Sequence, residues 1–369
     1  MMTGGQAVAE TLSAIGVKHV FGIVSVHNLP IYDALSLKPG IEVVNVRHEQ
    51  AAAHAADAYS RVTGGLGVIL TSTGPGAVNA VPGIYEAAFV SSRVMMITGQ
   101  IESRFRGKGK GFLHEHEKQP EMLNTLCRSV ASIRYTEDIS RELARVADDI
   151  RRGRPQPGAI EIPIDLQYRT TDIEIIGSST VERVAPDEEL LDQAAEILRN
   201  AERLVVWAGG GVNISGAGEE LTAFAERLGA PVVTTIEGRG SISEAHRLSL
   251  GFRTDRVSGM EIFEEADAVL AVGTRFQNYA TRVWSLPMPE KLVHIDVDPE
   301  VIGRNYPAAV AVVGDAKLGL DGLLNRIDEG NVDDQFVERC LKIRATDEQA
   351  VREEVGPDHS QIVSIIRRL

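Results

Sequence analysis

In a chain of 369 residues, Glu49 is the side chain best placed for acid–base work, within Arg47-His48-Glu49-Gln50-Ala51-Ala52-Ala53-His54. The apolar run Val43–Val46 there gives way to the alanine-rich stretch Glu49–Val62, so the carboxyl stands at a strand's carboxyl end, where open parallel sheets gather ligands. A carboxyl held at such a point can take or give a proton from a fixed position. By itself, a glutamate in a helix's first turn need do no more than complement the helix dipole. A second cluster, Ser72-Thr73-Gly74-Pro75-Gly76-Ala77-Val78-Asn79, is a strand-to-helix turn whose glycines admit close backbone approach, by a ligand or simply by the next element. Two further side chains could move protons near neutral pH: His27 in Val24-Ser25-Val26-His27-Asn28, and His114 in Phe112-Leu113-His114-Glu115-His116-Glu117. A lone loop histidine is equally well a plain polar residue. Two histidines with two glutamates suggest a metal, but the i, i+2 spacing does not put both rings on one helical face. His114 is therefore read as a site residue, and His116 with both glutamates as solvated.

These residues need a scaffold, and the hydrophobic pattern describes one. His19–Ile23, Val43–Val46, Gly67–Thr71, Val94–Thr98 and Gly158–Pro163 are short, nearly continuous apolar runs, separated by helical stretches such as Gly5–Gly16, Glu49–Val62 and Asn79–Phe89. That alternation is what a parallel sheet covered on both faces requires. A second set, Leu204–Ala208, Pro231–Thr234, Ala268–Val272 and Leu292–Asp296, follows with the helix Gly218–Leu228 among its connections. The fold class is α/β, with two doubly wound parallel-sheet domains. We place the first domain at 1–170, a Thr-, Asp-, Glu- and Pro-rich linker at 171–187, the second domain at 188–330, and a charged helical segment at 331–369. That segment ends in Ser360–Leu369, whose Ile362, Val363, Ile365, Ile366 and Leu369 form an apolar face that must pack on something.

Composition narrows the function. Hydrophobic residues at 43% and charged residues at 24% are ordinary for globular domains, so neither domain reads as disordered. The net charge of −14, spread along the chain, repels nucleic acid and anionic lipid and leaves small molecules or proteins as partners. Cys127 and Cys340 are far apart and lack ligand spacing, which fits a reducing compartment. No basic, then apolar leader opens the sequence, and no apolar run reaches the roughly 20 residues that span a bilayer. The expected location is cytoplasmic, without membrane association. Ala208-Gly209-Gly210-Gly211-Val212-Asn213-Ile214-Ser215-Gly216 follows a strand as a dinucleotide fingerprint would, although a tight turn alone explains it.

The segment Arg47–Gly64, with Phe21-Gly22-Ile23, Ser72–Asn79 and Thr98-Gly99-Gln100 in register, resembles the pyrimidine-binding domain of thiamine-diphosphate enzymes, particularly acetolactate synthases and related 2-oxo-acid lyases. The second set of strands, with Gly273-Thr274-Arg275-Phe276 and His294–Pro299, resembles the Rossmann-like central domain of that family. The resemblance implies that Glu49 hydrogen-bonds a ring nitrogen of the cofactor's aminopyrimidine and favours the tautomer that deprotonates the thiazolium carbon. It also implies that Val24, Ser25, Ser72, Gly74, Pro75 and Asn79 line the cofactor. Two departures fall on the substrate side. Val24-Ser25 replaces the usual Pro-Gly and brings His27 to where benzaldehyde-lyase-like members carry an active-site histidine. His114 stands at the position of the active-site glutamine of acetolactate synthases. Glu237–Gly240 and Gly251–Arg253 do not reproduce the flavin-binding segments, so FAD is not expected.

Family members carry a third domain that binds the diphosphate through Mg²⁺ held by Gly-Asp-Gly and a later asparagine. Gly314-Asp315-Ala316 is the nearest match and lacks that partner, while residues 356–369 resemble the third domain's opening helix. The expectation is the large subunit of a split, hetero-oligomeric enzyme with a homodimeric core. A separate chain would supply the diphosphate site, and a 2-oxo acid or aldehyde would be decarboxylated or ligated. A shortened form of a full-length enzyme and a non-catalytic scaffold or regulatory chain are the alternatives.

Overall fold

The computed structural model describes residues 1–252, 254 and 256–366, so Arg253 of the Gly251–Arg253 segment and Leu369 of the terminal apolar face lie outside the described residues. The chain divides into two units, Met1–Glu182 and Arg183–Leu369.

In the first unit, β1 (Met2–Thr3) is a short strand ahead of a six-stranded sheet. That sheet is built from β2 (His19–Gly22), β3 (Glu42–Asn45), β4 (Gly67–Thr71), β5 (Val94–Gln100), β6 (Ser129–Ser132) and β7 (Gly158–Pro163). The order is β3-β2-β4-β5-β7-β6 and every pairing is parallel. β8 (Thr170–Thr171) pairs antiparallel with β1, and Ile173 and Ile175 beyond it pack on the same core. Because successive strand residues face opposite ways, both faces are filled. Val68, Leu70, Met95 and Ile97 meet the helices Gly4–Ala14 and Ile139–Arg151, and Ile69 and Met96 meet Glu49–Thr63 and Pro75–Val90. The latter two helices touch through small residues: a Cβ on Gly83 would stand 2.4 Å from the Cβ of Ala53. The second helix starts at Pro75, earlier than the apolar period from Asn79 suggests, since proline is pre-set for a first helical turn.

The second unit repeats the architecture with β9 (Leu204–Ala208), β10 (Val232–Thr234), β11 (Ser249–Gly251), β12 (Ala268–Val272), β13 (Lys291–Asp296) and β14 (Val310–Val313). The order is β11-β10-β9-β12-β13-β14, again all parallel. Trp207 on one face packs against Phe263 and Phe276, while Val206 and Leu270 on the other join Leu221, Phe224 and Leu320. The last helix, Asp334–Ile366, buries Phe336, Val337 and Cys340 in this unit. It kinks at Gly356, where φ is 74° ahead of Pro357, and leaves Ile362 and Ile365 exposed. No helix among the described residues is long and apolar enough to cross a membrane.

Candidate active site

In the first sheet the chain leaves β2 toward β3 on one side and β4 toward β5 on the other, so the carboxyl ends of β2 and β4 flank a topological switch point. The loop after β2 carries Val24, Ser25 and His27, and the turn after β4 carries Ser72, Gly74 and Pro75. Glu49 follows β3, and His114 lies in the connection after β5. All the candidate residues therefore gather at one edge of one sheet.

Glu49 opens the helix Glu49–Thr63, whose preceding residue His48 caps it by accepting from the Gln50 amide at 3.2 Å. One carboxylate oxygen, Oε2, accepts from Asn79 Nδ2 at 3.0 Å. The other, Oε1, takes no hydrogen bond among the described residues. Gly76 keeps that oxygen clear, for a Cβ there would come within 3.2 Å of Oε1 and 2.8 Å of the Ser72 Cβ. Tyr32 stands nearby with its hydroxyl buried and without a hydrogen-bond partner among the described residues, and its acidity is suppressed first by burial and then by the Glu49 charge.

On the other side of the Ser72 turn, His27 is buried, and its Nδ1 lies 3.3 Å from Ser72 Oγ. Ser25 is spent on this loop: its Oγ accepts from the His27 amide at 3.2 Å and its own amide donates to Asn28 Oδ1 at 2.7 Å. Val24 projects outward, 49% exposed. Gln167 Nε2 donates to the His27 carbonyl at 2.8 Å and fixes the residue from below. The His114 ring sits 5.7 Å from that of His27, centroid to centroid. Burial first, and then the His114 charge, holds the His27 imidazole below the ordinary histidine range, so it is a neutral acceptor at neutral pH. His114 reaches this place in the left-handed region, φ 61°, with its carbonyl pressed on Gly74, where a Cβ would meet it at 2.5 Å. Gly74 is thus required by contact and by its own φ of 57°.

Sequence reasoning overlooked a buried polar group beneath the turn. Gln119 Oε1 accepts from the Gly74 amide at 2.9 Å and from Thr73 Oγ1 at 3.0 Å, while its Nε2 donates to Glu161 Oε2 at 3.0 Å. Two glutamines therefore reach the Ser72–Pro75 turn: Gln119, further along the connection than His114, and Gln100, whose Oε1 accepts from Thr73 Oγ1 at 3.3 Å. The signal was present: Glu161 interrupts the apolar strand β7, and a carboxylate inside a parallel sheet must be partnered.

Among the described residues no cluster of His, Cys, Asp and Glu could hold a metal ion. Cys127 and Cys340 are buried and unpaired, and burial pushes both thiols up to about 12. In the second unit the Gly209–Gly216 turn lies at that sheet's own switch point, between β9 and β12. Backbone fills the space beside two of its glycines: a Cβ on Gly209 would lie 2.1 Å from the Gly273 carbonyl, and one on Gly211 2.6 Å from the Gly273 Cα.

Residues 2–125 match the family described as "Thiamine pyrophosphate enzyme, N-terminal TPP binding domain", and residues 191–323 match "Thiamine pyrophosphate enzyme, central domain". The chain belongs to the thiamine pyrophosphate enzymes. Within that family it is 35% identical over 356 residues to a probable acetolactate synthase large subunit of Methanocaldococcus jannaschii, a match covering 93% of this chain and 59% of the relative. It is 37% identical over 332 residues to a probable 2-ketoarginine decarboxylase of Pseudomonas aeruginosa, covering 89% and 58%. It is 34% identical over 336 residues to an acetolactate synthase of Mycobacterium bovis, covering 88% and 53%. The chain thus spans 53–59% of the length of these thiamine pyrophosphate enzymes.

Proposed function

We propose that the first unit is the aminopyrimidine-binding half of an acetolactate-synthase-like enzyme that decarboxylates or ligates a small 2-oxo acid or aldehyde, and that a separate chain completes the site. The observation that carries this reading is the state of Glu49. One carboxylate oxygen is fixed by Asn79, and the other takes no hydrogen bond among the described residues, at the carboxyl edge of the sheet, with Gly76 keeping the space beside it open. A ring nitrogen of an aminopyrimidine fits that free oxygen, and the Val24–Ser25 loop with the Ser72–Pro75 turn offers backbone on either side.

Bound thiamine diphosphate would supply the electron sink for loss of carbon dioxide from a 2-oxo acid and for transfer of the remaining acyl unit. This chain's own residues hold and move protons. Glu49 receives and returns a proton through Oε1, kept in line by Asn79. Neutral His27, poised at Ser72, accepts a proton on the substrate side, and exposed His114 relays it toward water. The 2-oxo chemistry named in the relatives, synthase and decarboxylase alike, supports this class. Magnesium and the diphosphate are assigned to the partner's Gly-Asp-Gly and asparagine, and no flavin is assigned to the second unit. A helix-face stripe, Val78, Pro82 and Tyr85, exposed beside the site, supports a protein partner. The deciding experiment is turnover of a 2-oxo acid by the chain mixed with a diphosphate-binding chain and Mg²⁺. Absence of carbon dioxide release and of carboligation across a panel of 2-oxo acids would refute the proposal.

A further inference from the structure

We propose that Glu161 clamps both stems of the loop that carries His114, and that Arg106, its counter-ion, is a positioning residue for the site. Glu161 is fully buried in β7 between Ile160 and Ile162, where an unpaired carboxylate would be costly. It accepts from four donors. Oε1 takes the Arg106 guanidinium and Ser132 Oγ at 2.9 Å, and Oε2 takes Gln100 Nε2 at 3.1 Å and Gln119 Nε2 at 3.0 Å. Arg106 lies on the outgoing stem just past the turn Ser103–Phe105, and Gln119 on the returning stem at the start of the helix Gln119–Asn124.

Between the stems little else holds the chain. Gly107, Gly109 and Gly111 have φ of 69°, 57° and 73°, and nothing presses on Gly107 or Gly111 within 4 Å of where a Cβ would stand. Across them, the rings of Phe105 and Phe112 stack at 5.3 Å, so whatever seats Arg106 also seats the returning residues that lead to His114. Two routes then run from Glu161 to Gly74. One passes through Gln119 to the Gly74 amide, and the other through Arg106, the phenylalanine stack and His114, whose carbonyl lies on Gly74. Ser103 is tied separately to Asp165, by its amide at 2.8 Å and its hydroxyl at 2.6 Å, so losing Arg106 frees the loop tip while its base stays anchored. A charge-assisted bond with a buried carboxylate is short-ranged and directional, as a latch of this kind requires.

The consequence for turnover rests on the role proposed above for His114, but the clamp itself can be read on the full chain without cofactor or partner. In Arg106→Met, trypsin should cut after Lys108 and Lys110 several-fold faster than in the parent chain, because cleavage tracks the population of the open loop. The His27 resonance, faced by His114, Ser72 and Gln167, should titrate at higher pH as the His114 ring moves away. Arg106→Lys should recover part of both effects. Circular dichroism and the melting temperature report whether the variant folds, and Glu161→Gln, which keeps the shape and removes the charge, should release the loop in the same way. Unchanged cleavage together with unchanged His27 titration in folded Arg106→Met overturns the clamp. A released loop with no catalytic effect in the reconstituted enzyme leaves the clamp standing and removes His114 from the mechanism.

Discussion

Asn79 occupies one oxygen of Glu49 and leaves the other open, and this division of labour makes the carboxyl useful to a ligand rather than merely to its helix. Replacing Glu49 with Gln keeps the shape and the Asn79 contact but removes the proton carrier. Turnover in the completed enzyme should fall by about 10²–10⁴-fold, the usual worth of a positioned acid–base group, with an unchanged melting temperature. A drop below tenfold would remove Glu49 from its role. His27 gives a second test. Its imidazole is held below the ordinary 6.5, first by burial and then by the His114 charge, so the neutral form persists to lower pH. The acid limb of kcat/KM should therefore fall below pH 6.5 and should shift upward in His114→Phe, which deletes the opposing charge. Glu49, His27 and the Ser72 turn were legible because residue type and place at a strand end coincide. Gln119 and Arg106 were not, because a glutamine and an arginine in a polar connection look solvated until the fold brings them under Glu161.

Elements carry their own constraints, and one of them reverses a general rule. Alanine normally beats glycine inside a helix by about 1 kcal/mol. At Gly83, however, the new methyl would stand 2.4 Å from Ala53, at the crossing of the helices that carry Glu49 and Asn79. Gly83→Ala should destabilise the chain by roughly 1–3 kcal/mol in urea unfolding, as overpacked cores do. Added stability would refute the close approach. In the second unit His294 is fully buried on β13, its Nε2 donating to the Thr274 carbonyl at 2.9 Å and its Nδ1 without a partner among the described residues. Burial lowers its pKa to about 4, so folding favours the neutral ring. The unfolded chain binds the proton first on acidification, and the stabilisation, complete above 6.5, is lost as pH falls toward 4, in all roughly 3 kcal/mol. His294→Gln should flatten that part of the stability profile. The same physics decided which strands were readable. β4, β5, β9 and β12 are central and wholly buried, so they read as apolar runs. The edge strands β6 and β11 have one side unpaired and are short and interrupted by serine, so no apolar run marks them, whereas β14, Val310–Val313, is apolar throughout and was overlooked.

At the scale of the whole molecule the question is what covers the site. Val78, Pro82 and Tyr85 recur at helical spacing on the outer face of Pro75–Val90, with Val78 46% and Tyr85 60% exposed, next to the residue that fixes Glu49. On the neighbouring helix Ala51, Ala58 and Val62 are exposed too. A partner laid on this surface would bring its diphosphate site beside the free carboxylate, whereas a chain with net charge −14 has no reason by itself to retain a diphosphate. Two outcomes follow. Titrated alone in a calorimeter, the chain should bind thiamine diphosphate weakly, with little response to Mg²⁺; with the diphosphate-binding chain present, binding should tighten, require Mg²⁺ and be reversed by a chelator. Tyr85→Lys, an exposed substitution, should change the free energy of unfolding by no more than the about ±0.5 kcal/mol expected of surface changes, yet abolish the complex in sedimentation and with it the tight binding. Tight, magnesium-independent binding by the single chain would mean that the diphosphate is held by residues already present, and the division of the site between two polypeptides would be wrong even if Glu49 kept its part.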